Sequence, residues 1–111
     1  MTKQRLYALS TCAALLGMGS VSTAFAEEIA LDGAQLFATK ACLSCHGADG
    51  RTPILPIYPK IAGQNAGYIY NQLRDIKSGA RNSGQAVIML GIMAGVNDAE
   101  MRAIADWLAT Q

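Results

Sequence analysis

The chain has 111 residues, of which 51% are hydrophobic and 15% are charged, and its formal net charge is +1. This length suits one small domain and excludes a second domain of ordinary size. The nearly neutral charge offers no basic surface of the kind that binds nucleic acid, so nucleic acid is not an expected partner.

Residues 1–26 have the features of a cleaved secretory signal peptide. Lys3 and Arg5 precede an apolar run of small residues, and residues 24–26, Ala-Phe-Ala, match a small-x-small cleavage site. A retained membrane anchor is the alternative, but glycines and serines make the run poorly apolar for a span of about 20 residues. We therefore expect export to the periplasm.

The mature chain is then a single domain, residues 27–111, with no membrane span. Removing Lys3 and Arg5 from the nine basic residues leaves seven against eight acidic ones, a formal charge of −1. Such a surface suits a protein that meets partner proteins. Because so short a chain buries only a modest core, a covalently held cofactor would add useful apolar burial.

Three helices are predicted in residues 27–111, and the pattern shows no convincing strand. They run from Gly33 to Ala41, from Ala66 to Ser78 and from Asp98 to Thr110. The residues before them, Asp32, Asn65 and Asn97, are favoured N-caps, and Gly79 is a favoured end for the second helix. Apolar residues at helical spacing supply their buried faces.

Two long irregular segments are expected between these helices. Residues 47–64 contain all three prolines, and residues 80–96 contain three glycines among apolar residues. Structureless segments of this length are uncommon in a small domain unless something ordered fills the space beside them. We expect both segments to wrap around a bound cofactor.

Residues 42–46, Cys-Leu-Ser-Cys-His, form a C-x-x-C-H motif, the attachment signal for c-type haem. In a helical turn Cys42 and Cys45 share one face, so both thiols can reach the two haem vinyl groups. His46 points the same way and can bind the iron as the proximal ligand. The motif therefore predicts one covalently attached haem c.

Other uses of a cysteine pair explain less of the sequence. A structural zinc site needs four ligands, whereas His46 is the only histidine and residues 27–111 contain two cysteines. A thioredoxin-like redox pair would lie in a β-α-β unit, and the sequence pattern shows no convincing strand. A plain disulfide leaves His46 and the two long segments unexplained.

With no second histidine, we expect a methionine as the sixth iron ligand. Met101 lies on the apolar stripe of the last predicted helix, where core packing is the expected role. Met89 and Met93 both lie in the segment before that helix. From their position alone, either side chain could reach the haem.

Beyond the haem motif, residues 30–111 resemble class I c-type cytochromes, in particular a small bacterial subgroup that also forms each half of certain di-haem cytochromes. The resemblance is carried by residues 58–64, Tyr-Pro-Lys-Ile-Ala-Gly-Gln, by Tyr68, and by residues 72–79, Gln-Leu-Arg-Asp-Ile-Lys-Ser-Gly. It implies an all-α cytochrome c fold, with three main helices and long loops around one haem. The di-haem relatives carry a second C-x-x-C-H motif, which this chain lacks.

The resemblance also implies a choice between the methionines. In that subgroup the ligand methionine stands seven residues before the position that is Val96 here, which favours Met89, with Met93 as the second candidate. Pro59 resembles the proline whose carbonyl accepts the Nδ1 proton of His46, although it could equally stiffen the loop.

The resemblance extends to the packing of the first helix against the last. Gly33 and Phe37 match the small and aromatic residues by which the first helix crosses the last one. Trp107 matches the aromatic residue on which they pack.

These expectations describe an electron carrier without catalytic residues. With both axial positions filled, the iron can only cycle between Fe(II) and Fe(III), and a thioether ligand and haem burial raise its reduction potential. Its partners would be redox proteins, with a flavoprotein as one candidate, that dock briefly at an exposed apolar haem edge. Candidates for that edge are Ile54, Leu55, Ile88 and Ile92.

Two other functions stay open at this point. The chain could be the haem c subunit of a flavoprotein dehydrogenase complex, resembling flavocytochrome c sulfide dehydrogenase. It could also be a haem sensor or peroxidase-like enzyme with a labile methionine. Co-purification with a flavoprotein would favour the subunit, and carbon monoxide binding to the reduced protein would favour the sensor or enzyme.

Overall fold

The structure of the protein, a computed structural model, describes residues 29–111 together with Gly19. The expected signal peptide otherwise lies outside the described residues. The described chain contains five helices and no strand: α1 Gly33–Thr39, α2 Leu43–His46, α3 Ala66–Ser78, α4 Ala86–Ala94 and α5 Asp98–Ala109. The all-α class is confirmed, and no described helix is both long and apolar enough to cross a membrane.

The three predicted N-caps are present in the structure. Asp32 accepts hydrogen bonds from two backbone N–H groups of α1, and Asn65 accepts one from Tyr68 at 3.2 Å. Asn97 and Glu100 form a reciprocal capping box at the start of α5. Helices α1, α3 and α5 therefore begin at the residues predicted from the sequence.

Helix α1 crosses α5 at a glycine. A Cβ on Gly33 would lie 2.2 Å from the carbonyl oxygen of Ala103 and 2.6 Å from Cβ of Trp107, so only glycine allows this approach. One turn later, the Phe37 ring packs on the Trp107 ring with centroids 5.0 Å apart. The expected contact between the first and last helices is confirmed.

The core lies where α3 and α5 pack together, with α1 against α5 and α4 against α3. Met101 is 3% exposed, which confirms its expected packing role. The buried cluster consists of Phe37, Ile69, Leu73, Ile76, Met93, Val96, Met101, Ile104, Ala105 and Leu108.

The prediction of an irregular segment over residues 80–96 is wrong, because nine of these residues form α4. Every residue of α4 is apolar or glycine, so no amphipathic stripe marks it as a helix. Residues 47–64, in contrast, contain only turns and bends, as expected. The first helix stops two residues earlier than predicted because Ala41 has a left-handed φ of 66°.

Candidate functional site

Helix α2 places the cysteine pair and the histidine on one helical turn. The N–H of His46 donates to the carbonyl oxygen of Cys42 at 3.1 Å. Gly47 ends the helix with a φ of 80°, and a Cβ there would lie 2.1 Å from the carbonyl oxygen of Thr52. Cys42 and Cys45 are both half-buried free thiols. They are therefore available to form thioethers and are not joined in a disulfide.

The two cysteines differ in their surroundings. Cys45 lines the large cavity described below, whereas Cys42 packs against the edge of the core. Burial raises the pKa of the Cys42 thiol above its ordinary value of 9.0. This thiol is therefore neutral at physiological pH.

His46 is 5% exposed, and its Nδ1 lies 2.8 Å from the carbonyl oxygen of Pro59. A carbonyl oxygen can only accept a hydrogen bond, so Nδ1 is the donor and, in the neutral tautomer, Nε2 holds the lone pair. His46 also lines the cavity, and Nε2 is its free metal-binding atom. The contact between Pro59 and His46 expected from the resemblance is confirmed.

The loop that carries Pro59 is folded back on itself. The N–H groups of Ile61 and Ala62 donate to the carbonyl oxygen of Gly50 at 2.9 and 3.1 Å. Gly50 has a left-handed φ of 68°, and a Cβ there would lie 2.7 Å from Cδ2 of Leu108. The loop is thus closed against α5, which keeps Pro59 within hydrogen-bonding distance of His46.

A cavity of about 470 Å³ lies between this loop, α3 and α4. Its size falls in the range of roughly 300–1,000 Å³ that small-molecule and cofactor sites occupy. Most of its wall is apolar and includes Ile57, Ile61, Ile69, Leu73, Ile76 and Ile88. A flat apolar cofactor anchored at Cys45 would replace water along this wall, so the residues present fit the expected haem.

Only one of the two candidate methionines lines the cavity. Met89 is half-buried and lines the cavity with Cys45 and His46. Met93 is 1% exposed, belongs to the buried core and does not line the cavity. The two residues lie one turn apart on α4. Met89 and His46 therefore line the same cavity, whereas Met93 lies in the core.

The cavity also contains polar residues that sequence reasoning missed. Nη1 of Arg81 donates to Oε1 of Gln72 at 2.8 Å, and both residues line the cavity. A guanidinium in this position can bind an acidic group of a ligand. An arginine in a turn between helices carries no pattern that distinguishes it from an ordinary surface residue.

The expected apolar docking residues divide into three groups. Ile54 and Leu55 are 61% and 49% exposed and do not line the cavity. Ile88 is 56% exposed but lines the cavity, and Ile92 is half-buried. Ile54 and Leu55 are therefore the exposed members of the set that lie outside the cavity, in the loop that begins after α2.

Comparison with known proteins gives one family match and several relatives. The family model described as Cytochrome c matches residues 30–111. Cytochrome c-553 of Nitratidesulfovibrio vulgaris is 33% identical over 107 residues, covering 96% of this chain and 97% of the relative. Cytochrome c4 of Pseudomonas aeruginosa is 40% identical over 70 residues, covering 63% of this chain and 33% of the relative.

A third relative, the thiosulfate dehydrogenase electron acceptor of Stutzerimonas stutzeri, is 39% identical over 97 residues, covering 87% of this chain and 44% of the relative. Among solved structures, cytochrome c4 of Acidithiobacillus ferrooxidans matches with a TM-score of 0.61 and 30% identity, covering 71% of this chain and 47% of that one. The chain thus spans nearly all of cytochrome c-553 but less than half of the cytochrome c4 relatives.

Proposed function

Because the chain belongs to the cytochrome c family, we propose that it is a periplasmic electron carrier whose haem iron has His46 and Met89 as axial ligands. The fold is the cytochrome c fold, and the cofactor is haem c, bound covalently through the C-x-x-C-H motif. When bound, haem c supplies a one-electron couple between Fe(II) and Fe(III). Its role in this family is electron transfer.

The shared cavity of His46 and Met89 carries the axial assignment. His46 presents Nε2 with its lone pair, because Nδ1 is engaged by Pro59. Met89 is the methionine on the same cavity, whereas Met93 is enclosed by the core. An imidazole and a thioether are a ligand pair found in electron-transfer cytochromes, where the thioether raises the potential.

Each residue of the site has a distinct part in this proposal. Cys42 and Cys45 anchor the haem, and Pro59 fixes the orientation of the His46 ring. Met89 would hold the haem iron through its thioether, which would leave oxygen and small substrates no open coordination site. The apolar cavity wall excludes water and disfavours the additional positive charge of the ferric state.

We propose a dehydrogenase as the electron donor. Two relatives, at 39% and 34% identity, are named thiosulfate dehydrogenase electron acceptor. Those names support a role in accepting electrons from an oxidoreductase. A permanently bound haem c subunit of a flavoprotein dehydrogenase is the second candidate, because it would use the same site chemistry with a partner that stays attached.

Purification of the full chain from the periplasm tests the proposal. We expect an N-terminus at Glu27, a mass increased by one haem, and a low-spin, six-coordinate spectrum in both redox states. The reduced protein should not bind carbon monoxide at neutral pH. A five-coordinate, high-spin ferrous haem would contradict the carrier and support a sensor or peroxidase-like enzyme, and stoichiometric co-purification of a flavoprotein would replace the free carrier by the subunit.

A further inference from the structure

The ammonium group of Lys77 holds the backbone where α4 ends. It is half-buried on α3 and donates to the carbonyl oxygens of Met93 at 2.8 Å, Val96 at 2.7 Å and Ala94 at 3.3 Å. A helix ends with unsatisfied carbonyl groups and a partial negative charge. A lysine has three donors and one positive charge, which match this environment.

Lys40 completes the same arrangement from the other side. It follows α1, and its ammonium donates to the carbonyl oxygen of Gly95 at 2.7 Å while pairing with Glu100 at 3.1 Å. All four carbonyl groups of residues 93–96 therefore accept a hydrogen bond from a lysine. A lysine on α3 and the lysine that follows α1 thus bind one short stretch of backbone at the end of α4.

The other end of α4 is more exposed. Residues 80–85 are all exposed, and Gln85, at the N-cap, makes no side-chain capping hydrogen bond. Val87 in the first turn is 55% exposed. Met93 and Val96, in contrast, are each 1% exposed. Helix α4 is therefore joined to α3 at both ends, by Arg81 before it and by Lys77 after it, and its C-terminal end is the buried one.

We propose that Lys77 is a positioning residue for the thioether of Met89, acting through α4. This inference rests on the proposed function, in which Met89 is an axial ligand. Met89 lies one turn before Met93, and a turn rises by about 5.4 Å. Because Met89 lines the same cavity as His46, a displacement of the anchored end would move the Met89 thioether relative to His46.

Exogenous imidazole provides the test, because it binds the ferric iron only where the thioether has left. We expect Lys77→Leu to increase the apparent imidazole affinity by about tenfold or more, the factor that corresponds to one charge-assisted hydrogen bond. Lys77→Arg should restore the wild-type affinity, because a guanidinium retains several donors. The near-infrared band from the thioether–iron bond should weaken in Lys77→Leu and return in Lys77→Arg.

Arg74→Leu is the matched control, because it removes a cation from the same helix, one turn earlier, with no hydrogen bond to α4. Far-ultraviolet circular dichroism verifies that each variant is folded. If Lys77→Leu does not fold, Lys77→Gln takes its place and should show an intermediate increase. Imidazole affinity equal to that of Arg74→Leu in the folded Lys77→Leu or Lys77→Gln variant would overturn the proposal.

Met89→Ala separates this inference from the proposed function. If Met89→Ala keeps the near-infrared band, the axial assignment itself fails. If the band is lost in Met89→Ala but the folded Lys77→Leu or Lys77→Gln variants bind imidazole like the control, only the positioning role of Lys77 fails.

Discussion

The carbonyl oxygen of Pro59 accepts a hydrogen bond from Nδ1 of His46 across 2.8 Å. The contact fixes the tautomer of the ring and increases the basicity of its other nitrogen. Because the acceptor is a backbone atom, its position depends on the closed loop around Gly50. If His46 binds the haem iron as proposed, the conformation of that loop is part of the iron site.

Pro59→Ala should raise the reduction potential. The substitution releases the fixed φ of proline, so the hydrogen bond to His46 weakens, the imidazole becomes less basic and the ferric state loses stabilisation. We expect a shift smaller than that caused by Met89→Ala, measured by potentiometric titration. Pro56→Ala is the control from the same loop, and an equal shift there would show that general loosening of the loop is responsible.

Truncation to alanine should affect different properties at the two methionines of α4: stability at Met93 and the haem spectrum at Met89. Met93→Ala should lower the free energy of unfolding by about 2–5 kcal/mol, the cost of a core cavity, and keep the near-infrared band. Met89→Ala should lose the band and shift the potential downward, while its secondary structure is retained. Urea unfolding and absorption spectra of both variants check this, and band loss in Met93→Ala alone would reverse the assignment.

Two glycine-to-alanine changes should have effects of opposite sign. Gly33→Ala forces a methyl group into the backbone of α5 and should destabilise by about 1–3 kcal/mol or more. At Gly91, within α4, an added Cβ meets nothing within 4 Å. Gly91→Ala should therefore stabilise by up to about 1 kcal/mol from helix propensity. Urea denaturation measures the free energy of unfolding of both variants. A similar loss of stability in both would contradict the effect expected from the close crossing of α1 and α5.

Glu100 should make the stability of the protein depend on pH in the acidic range. Hydrogen bonds from the backbone of Asn97 and from Lys40 lower the pKa of this carboxyl below its ordinary value of 4.5. Its contribution is fully present above pH 4.5 and is lost as the pH falls through the lowered folded-state pKa. The stability difference between wild type and Glu100→Gln should therefore shrink below pH 4.5. A difference that stays constant down to pH 3 would exclude this linkage, and exposed Asp106→Asn is the control.

Charged replacements at the open apolar surface should slow electron exchange without changing the spectrum. Ile54→Glu and Leu55→Glu place a desolvated charge in a small, transient redox contact. We expect a loss of about tenfold in the second-order rate with the purified donor, which corresponds to about 1.4 kcal/mol. Stopped-flow reduction measures it. Ile29→Glu is the control, since Ile29 is 87% exposed in a groove beside Trp107, and equal slowing there would place the contact elsewhere.

The sequence predicts α1, α3 and α5 because each has an N-cap and a separable apolar face. The haem motif fixes α2 because its chemistry requires one helical turn. Helix α4 lacks both kinds of pattern: its N-cap position is Gln85, and Gly91 interrupts a run that is apolar on every side. Its existence depends on packing against α3 and on the two lysines, which are tertiary interactions.

For the same reason, some residues of the site could be predicted from the sequence and others could not. Cys42, Cys45 and His46 lie within five consecutive residues, so their spacing determines how they are placed on one helical turn. Met89 is distant from them, and only resemblance distinguished it from Met93. The role of Lys77 could not be predicted, because a lysine on an amphipathic helix usually faces water, and its carbonyl partners lie 16 to 19 residues away.

The approach of Gly33 to Trp107 places the start of the first helix beside the last turns of the final one. The described chain therefore enters α1 beside Trp107, whereas Leu108, one residue later, lines the cavity and accepts a hydrogen bond from the N–H of Gly63 in the loop that carries Pro59. An affinity tag or a surface tether for electrochemical work is therefore better joined on the Gly33 side, where it does not disturb this loop.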